Sequence, residues 1–452
     1  MKNNYIVKSQ FTFPRLDVLI LRINTNCGHS LLNREIIPNQ KINASIQLPG
    51  SKYVANRLVP MCALATSKSK LTNVVNNKDI NTAIEGLSNL GYHFEKTADG
   101  VNIFPREQGI QSKASLYTAH SGTFSRFVAA VAALEQHPVS IGCSDKMATR
   151  PMVELFDALT ELSVKIDSPN QCLPATITGP VIGNECHLDA ARSSQYLSAL
   201  LIIAPLLADG LQVKVDGEVV SRAYVDMTIQ LMQKMGVEVV EQDNCFSVKP
   251  NQSYQGLNYA IPGDSVSATY FMGAAAISGG KVTIKNFDLD SVQGEAKFYQ
   301  VLESMGARIE INGADLTIIG PEEPSAIEVD MGGMPDAVQT LAAVACYAKG
   351  TTKITNIAHL AFKESNRIED TAKEIRKTGI EVESGEDFLI IHGGAVGPAD
   401  INTHEDHRMA MSLALLGIKT AGIRIVAADV VEKSFPDYWE YMTQIGIDSR
   451  CF

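Results

Sequence analysis

The feature that most constrains how this chain can fold is a phrase that recurs six times. A helical pattern ends in a small residue, and a short alternating run follows. The first three copies read Leu-Ser-Asn-Leu-Gly91-Tyr-His-Phe, Leu-Thr-Glu-Leu-Ser163-Val-Lys-Ile and Met-Gln-Lys-Met-Gly236-Val-Glu-Val. The last three read Leu-Glu-Ser-Met-Gly306-Ala-Arg-Ile, Ile-Arg-Lys-Thr-Gly379-Ile-Glu-Val and Met-Thr-Gln-Ile-Gly446-Ile-Asp-Ser. The small residues stand 72, 73, 70, 73 and 67 positions apart. A residue just past a helix end often needs positive φ, which glycine adopts without a side-chain clash. The run after it alternates as a half-buried strand does. A single copy is an ordinary helix-to-strand junction of an α/β protein, but the near-constant spacing predicts a structural repeat. A period near 70 is too long for a solenoid, whose repeats span roughly 20–50 residues. Each copy has room for several strands and two helices.

Size alone would divide 452 residues into about three domains. With 45% hydrophobic and 20% charged residues, the chain is neither disordered nor fibrous in character. Thirty-nine basic against 50 acidic side chains leave a net charge of −11, the wrong sign for coating nucleic acid. A few arginines in one cleft could still hold a small anion. No apolar stretch approaches the roughly 20 residues of a membrane span. Val18-Leu19-Ile20-Leu21, flanked by Asp17 and Arg22, is too short for a signal-peptide core. None of the eight cysteines forms a CxxC pair, which predicts a reducing, cytoplasmic setting without a zinc ribbon or redox dithiol. Cys186 and His187 would point to opposite faces of a strand, and His404 and His407 lack an HExxH frame, so no metal site is expected. The Gly-rich signatures of ATP and dinucleotide cofactors are also missing from the sequence.

Residues 122–135, 194–208, 266–278, 336–348 and 407–418 read as apolar helices. Four of them begin at the polar clusters Ser193-Ser194-Gln195, Asp264-Ser265, Pro335-Asp336 and Asp406-His407-Arg408. Helix N-termini of this kind suit anions, because free N–H groups and the helix dipole point there. Basic residues gather at comparable places. Lys52 and Arg57 follow a Pro-Gly turn, and Arg126 follows the small-residue turn His120-Ser121-Gly122-Thr123. Arg150 precedes a proline, and Lys433 lies near the end of the chain. In Lys363-Glu364-Ser365-Asn366-Arg367, a helix would put Lys363 and Arg367 on one face. Each cluster alone could be a plain cap or an exposed ion pair. Together they predict a cleft for at least one phosphate and one carboxylate, ligands that arginine grips in bidentate fashion.

Taken in order, LPGSKxxxNR (48–57), SGT (121–123), RP (150–151), SSQ (193–195), GD (263–264), PDA (335–337), KESNR (363–367), DHRMAM (406–411) and KSFPDY (433–438) resemble the 5-enolpyruvylshikimate-3-phosphate (EPSP) synthase family. The resemblance runs from about residue 41 to 447. It implies an α/β, two-domain enolpyruvyl transferase fold, an inside-out α/β barrel of six βαβαββ repeats, three per domain. Residues 1–40 would be an extension outside the match, 41–50 plus 263–450 the lower domain, and 51–262 the upper domain. A two-stranded hinge would join the domains, and the cleft between them would close on substrate.

The implied reaction moves the enolpyruvyl group of phosphoenolpyruvate to the 5-hydroxyl of shikimate 3-phosphate and releases phosphate. No metal or organic cofactor is implied, and the enzyme is expected to be a monomer. By the resemblance, Asp336 accepts the hydroxyl proton, and Glu364, beside Lys363, exchanges a proton with the methylene carbon. Lys52 touches both substrates, and Arg57 a substrate anion. Ser193, Ser194 and Ser221 hold the shikimate phosphate, with Gln195 under the ring and Tyr224 beside it. Gly122, Arg150, Arg367, Arg408 and Lys433 grip phosphoenolpyruvate, and Tyr53, Thr123, His359 and Lys363 complete the contacts. Three positions depart from the family pattern: Tyr53 replaces a small serine, His120 an asparagine and Phe127 a proline. They bear on the acceptor end of the pocket and on inhibition by glyphosate, a phosphoenolpyruvate mimic. Two rivals share the fold: the sister transferase acting on UDP-N-acetylglucosamine, and a non-catalytic anion binder. The sister enzyme usually has a cysteine where this chain has Asp145. The presence of Asp336 and Glu364 among the cations counts against the binder.

Overall fold

The computed structural model describes residues 32–39, 42–190 and 192–452. The repeat is carried by backbone geometry. All six small residues take positive φ: 85° at Gly91, 66° at Ser163, 86° at Gly236, 100° at Gly306, 86° at Gly379 and 89° at Gly446. Each reverses the chain from a helix into a strand.

Around these turns the described residues form six four-stranded sheets on one plan. In one, Ala114–Tyr117 runs parallel to Val139–Gly142, joined through helix Gly122–Ala132. Val139–Gly142 then pairs antiparallel with Ala175–Thr178, whose other edge carries Lys165–Asp167. A parallel pair needs a crossover, and the buried helix supplies it. The sheets lie outside and alternate accordingly, as Leu211–Asp216 does with strictly alternating buried and exposed residues. The crossover helices lie inside. All fourteen residues of Ser265–Ser278 are buried, including its polar ones. A helix apolar on every side must be surrounded, so the barrel is turned inside out, with helices as its core.

The buried side chains form two cores. One draws on residues from Val54 to Ile261, the other on Ile36 to Leu48 together with Ala268 to Ile447. The chain passes between these lobes twice. Strand Asn43–Ile46 belongs to the lower lobe and leads into helix Lys52–Ala63 of the upper one. Strand Asn258–Ala260 ends the upper lobe and leads into helix Ser265–Ser278 of the lower. The two crossings meet at an antiparallel bridge between Gly50 and Gly263. At Gly50 a Cβ would collide with the Asn73 carbonyl oxygen, so only glycine fits there.

Two readings of the sequence need correction. Residues up to 40 were expected to be an extension outside the match, yet Arg34–Ile36 pairs antiparallel with both Ile423–Val426 and Ser449–Cys451. It completes the sixth sheet, which the C-terminal segment cannot finish alone. The strand has only three residues, of which Ile36 alone is buried, so its pairing left no local pattern to read. Residues 1–31 lie outside the described part. The second correction is at Lys363. Helix Arg367–Arg376 starts at Arg367, capped by Asn366, so Lys363 and Glu364 lie in the approach rather than on a helix face. The helix expected over 336–348 opens as a 3-10 turn, Pro335–Ala337, before Val338–Ala345. Helix His407–Leu413 ends in a further 3-10 turn, Ala414–Ile418.

Candidate active site

The loops and helix starts of the two lobes face each other at the crossings. On the lower side the centre is Asp336, in the turn Pro335–Ala337. Its Oδ1 accepts from Arg367 Nη1 at 2.8 Å, and its Oδ2 from Arg408 Nη2 at 2.8 Å. Burial alone would raise the Asp336 carboxyl, but Arg408, Arg367 and Lys363 outweigh it and hold the group well below the usual carboxylate range. Glu364 is held in the same way. Its Oε2 accepts from Arg367 Nη2 at 2.9 Å and its Oε1 from Lys433 Nζ at 2.7 Å. Burial opposes ionisation there too, and Arg367 and Lys433 overcome it. Arg367 is braced from behind by Asp406, 2.7 Å from its Nε, while the same carboxylate caps helix His407–Leu413 through Arg408 N at 2.9 Å. Arg408 Nη1 donates to Tyr270 Oη at 2.9 Å. Burial lowers the values of both guanidinium groups, but their carboxylate partners raise them further, so both stay charged. His359 is half-buried near Lys363 and Asp336, and burial lowers its pKa. His407 is buried between Arg408 and Lys433; burial first, then those cations, push it well below its usual value and keep it neutral.

On the upper side, Ser193 caps helix Ser194–Ile203 and Gln195 Nε2 donates to Thr123 Oγ1 at 3.1 Å. Gly122 opens helix Gly122–Ala132, where a Cβ would stand 2.5 Å from Arg150 Nη1 and 2.8 Å from Arg126 Nη1. The missing side chain is what lets two guanidinium groups converge. Arg126 Nη1 donates to the Gly122 carbonyl at 2.7 Å, while its buried Nε has no hydrogen-bond partner among the described residues. Burial and the nearby Arg150 lower the Arg126 pKa to about 10. Ser221, at φ 56°, turns the chain into helix Ala223–Lys234, which carries Tyr224. Arg57 is buried, and its fork is filled from this side. Nε donates to Thr228 Oγ1 at 2.8 Å, and Nη1 and Nη2 to the carbonyls of Tyr53 and Tyr224, each at 3.0 Å. It therefore braces the tyrosines at least as much as it faces an anion.

Tyr53 joins the two sides. It stands in the first turn of helix Lys52–Ala63, its ring 5.2 Å from that of Tyr224. Its hydroxyl donates to Asp336 Oδ2 at 2.6 Å and accepts from Arg408 Nη2 at 2.6 Å. Burial, partly opposed by Arg408, raises its pKa well above 10, so it remains a neutral donor. Lys52 Nζ lies 5.5 Å over the Tyr53 ring and 3.7 Å from Asp79. His120, the other altered turn residue, has Nδ1 2.7 Å from Ser144 Oγ, both within the upper lobe.

The structure thus brings Tyr53, Asp336, His359, Lys363, Glu364, Arg367, Arg408 and Lys433 into one cluster. It sets Gly122, Thr123, Arg150, Ser193, Ser194 and Gln195 around two helix starts of the upper lobe. Sequence reasoning missed Tyr270 and Glu295. Tyr270 is one of several hydroxyl side chains in a helix that reads as apolar, and Glu295 belongs to no motif. The Gly294-Glu295 step in an otherwise unassigned loop was the only available cue.

A cationic cleft at the joint of two repeat-built lobes, with two carboxylates each clasped by arginine, defines a class: an α/β enzyme that performs proton transfer on small polyanions. The chain belongs to the EPSP synthase family, whose profile, described as EPSP synthase (3-phosphoshikimate 1-carboxyvinyltransferase), matches residues 36–442. Relatives named 3-phosphoshikimate 1-carboxyvinyltransferase include that of Colwellia psychrerythraea, 36% identical over 419 residues. The match covers 90% of this chain and 98% of that one. The enzyme of Salmonella typhi is 37% identical over 418 residues, with the same shares covered. The solved EPSP synthase of Acinetobacter baumannii superposes with a TM-score of 0.82 at 25% identity, over 93% of this chain and all of that one.

Proposed function

We propose how this cleft performs the family's reaction, the transfer of the enolpyruvyl group of phosphoenolpyruvate to the 5-hydroxyl of shikimate 3-phosphate in aromatic amino acid biosynthesis. Asp336 takes the hydroxyl proton while the oxygen bonds to the central carbon of phosphoenolpyruvate. Glu364 gives a proton to the methylene carbon, which becomes a methyl group. Phosphate then leaves, Glu364 recovers a methyl proton to restore the double bond, and the hydroxyl proton departs with the phosphate. Asp336 ends ionised as it began, and Glu364, which takes one proton from solvent when the donor draws its cations away, returns that proton to solvent when the products leave.

The observation that carries this reading is the pairing of both carboxylates with Arg367, and of each with one further cation, Arg408 or Lys433. Held this way, Asp336 is a weak base and Glu364 cannot be an acid. Phosphoenolpyruvate offers a carboxylate and a phosphate to the same cations. As these turn to the ligand, Asp336 regains basicity and Glu364 can take up a proton, so chemistry waits for the donor to arrive. Preplaced cations then stabilise the charge that develops at the central carbon. Ser193, Ser194 and Ser221 take the shikimate phosphate, Gln195 and Tyr224 the ring, and Gly122, Arg150, Arg367, Arg408 and Lys433 the donor. Closure of the lobes excludes water from the intermediate. In this reading the working form is a monomer. A cytoplasmic setting fits the seven described cysteines, all free.

The test follows phosphate release from phosphoenolpyruvate with shikimate 3-phosphate as acceptor. Release only with UDP-N-acetylglucosamine would overturn the reading. Asp336→Asn should lower kcat by about 10²–10⁴-fold, and unchanged turnover would remove Asp336 from its role.

A further inference from the structure

Glu295 lies directly behind the carboxylate assigned as base. It sits in the 3-10 turn Gly294–Lys297 with 1% of its surface exposed. Its Oε1 accepts the backbone N–H of Asp336 at 3.1 Å. The turn Pro335–Ala337 has no side-chain cap of its own, so this bond from a neighbouring turn fixes where Asp336 starts. The two turns are pressed together, because a Cβ on Gly294 would collide with the Gly333 carbonyl oxygen. Among the described residues Glu295 has no salt-bridge partner. The groups that face it are Asp336 from its own lobe, Arg408 from helix His407–Leu413 and Tyr224 from helix Ala223–Lys234. Arg408 is already committed to Asp336 at 2.8 Å, and beyond Asp336 lie Arg367, Lys363 and Tyr53. A buried carboxylate without a cation of its own is costly, and taking up a proton relieves the cost. Burial and the adjacent Asp336 push the Glu295 carboxyl up to about 7.

We infer that Glu295 is a positioning residue for Asp336 that is neutral when the cleft holds its two anions, and that its ionisation weakens phosphoenolpyruvate binding. Either form accepts the Asp336 N–H, so the base keeps its place. The ionised form adds a second negative charge behind Asp336, opposed to the anions in front. By linkage, the anions raise the proton affinity of Glu295 to the same extent. The inference rests on the reading of Asp336 as the base.

Glu295→Gln keeps the acceptor oxygen and removes the charge. Steady-state kinetics of both proteins from ~pH 6 to ~pH 8.5 bracket the titration. The KM for phosphoenolpyruvate of the unmodified enzyme should climb about tenfold more across that range than that of the variant, with the two kcat profiles nearly parallel. Parallel KM profiles would overturn the inference, as would a kcat loss at the acid end with KM unmoved, which would make Glu295 a participant in the chemistry. Turnover retained in Asp336→Asn would sink the base assignment, whereas the KM profiles would still report on Glu295. If Glu295→Gln does not fold, infrared titration of the unmodified enzyme decides. A protonated-carboxyl band should disappear with a midpoint near 7. Shikimate 3-phosphate with inorganic phosphate should move that midpoint upward. An absent or unmoved band overturns the inference.

Discussion

Replacing Tyr53 by phenylalanine removes one oxygen that serves both lobes. In the intact protein that oxygen donates to Asp336 at 2.6 Å and accepts from Arg408 at 2.6 Å. Tyr53 rides on an upper-lobe helix, and its two partners are lower-lobe residues. The bonds therefore exist only while the lobes are together. A hydrogen bond to a charged group contributes about 1.5–3 kcal/mol net. The two bonds are not additive here, because Arg408 and Asp336 also bind each other at 2.8 Å and keep that contact in the variant. We take the loss as ~2 kcal/mol, which is about thirtyfold in the equilibrium between closed and open lobes. The ring keeps its place beside Tyr224, so no cavity adds to this. One effect runs the other way. Tyr53 occupies a lone pair of Asp336 that an acceptor hydroxyl would need, so removing it frees the base. Because the guanidinium groups of Arg367 and Arg408 still hold Asp336, the loss of closure should dominate. Small-angle scattering should show a more open ligand-free protein, and both KM values should rise by about tenfold with kcat largely kept once substrates saturate. Tyr53→Ser should go further, since it also loses an aromatic contact of about 0.5–1.5 kcal/mol. Unchanged scattering together with kinetics within about twofold would refute the reasoning.

Gly122→Ala must displace two guanidinium groups that would lie 2.5 and 2.8 Å from the new Cβ. The KM for phosphoenolpyruvate should rise by about tenfold or more, with the KM for shikimate 3-phosphate little changed; equal shifts in both would count against the assignment of Arg150 to the donor. Asp406→Asn takes a fully buried charge from Arg367, which it meets at 2.7 Å. Urea unfolding should show a loss of about 3 kcal/mol, at the low end for a broken buried pair because Asp336 and Glu364 remain. Asp336 and Glu364 both have folded values below their unfolded values of about 4. Their stabilisation is therefore present above that pH and lost as pH falls through the folded values. The urea midpoint should decline below about pH 4, and the decline should flatten in the Asp336→Asn, Glu364→Gln double variant. An identical acid limb in that variant would rule these two groups out as its source.

What the sequence determined by itself was whatever each stretch of chain must satisfy locally. A helix that turns sharply into a strand needs positive φ, so the six-fold repeat was written as glycines, with Ser163 as the one exception. Crossover helices buried on all sides must be apolar throughout, so their positions were legible, to within a turn at each end once the 3-10 continuation Ala204–Leu206 is counted. The motif residues stood out because charged and small side chains at helix starts are unusual against that apolar background. Tertiary structure alone decided who meets whom. Arg34–Ile36 closes a sheet with strands nearly four hundred residues away, and three residues carry too little pattern to announce it. Lys363 fell off the expected helix because Asn366 caps the chain three residues later. The hydroxyl of Tyr53 reaches Asp336 across 283 positions of sequence, and Glu295 holds the same residue from behind. Neither contact has a local signature, because a hydrogen bond between lobes depends on where the folded loops come to rest and not on any neighbour in the chain.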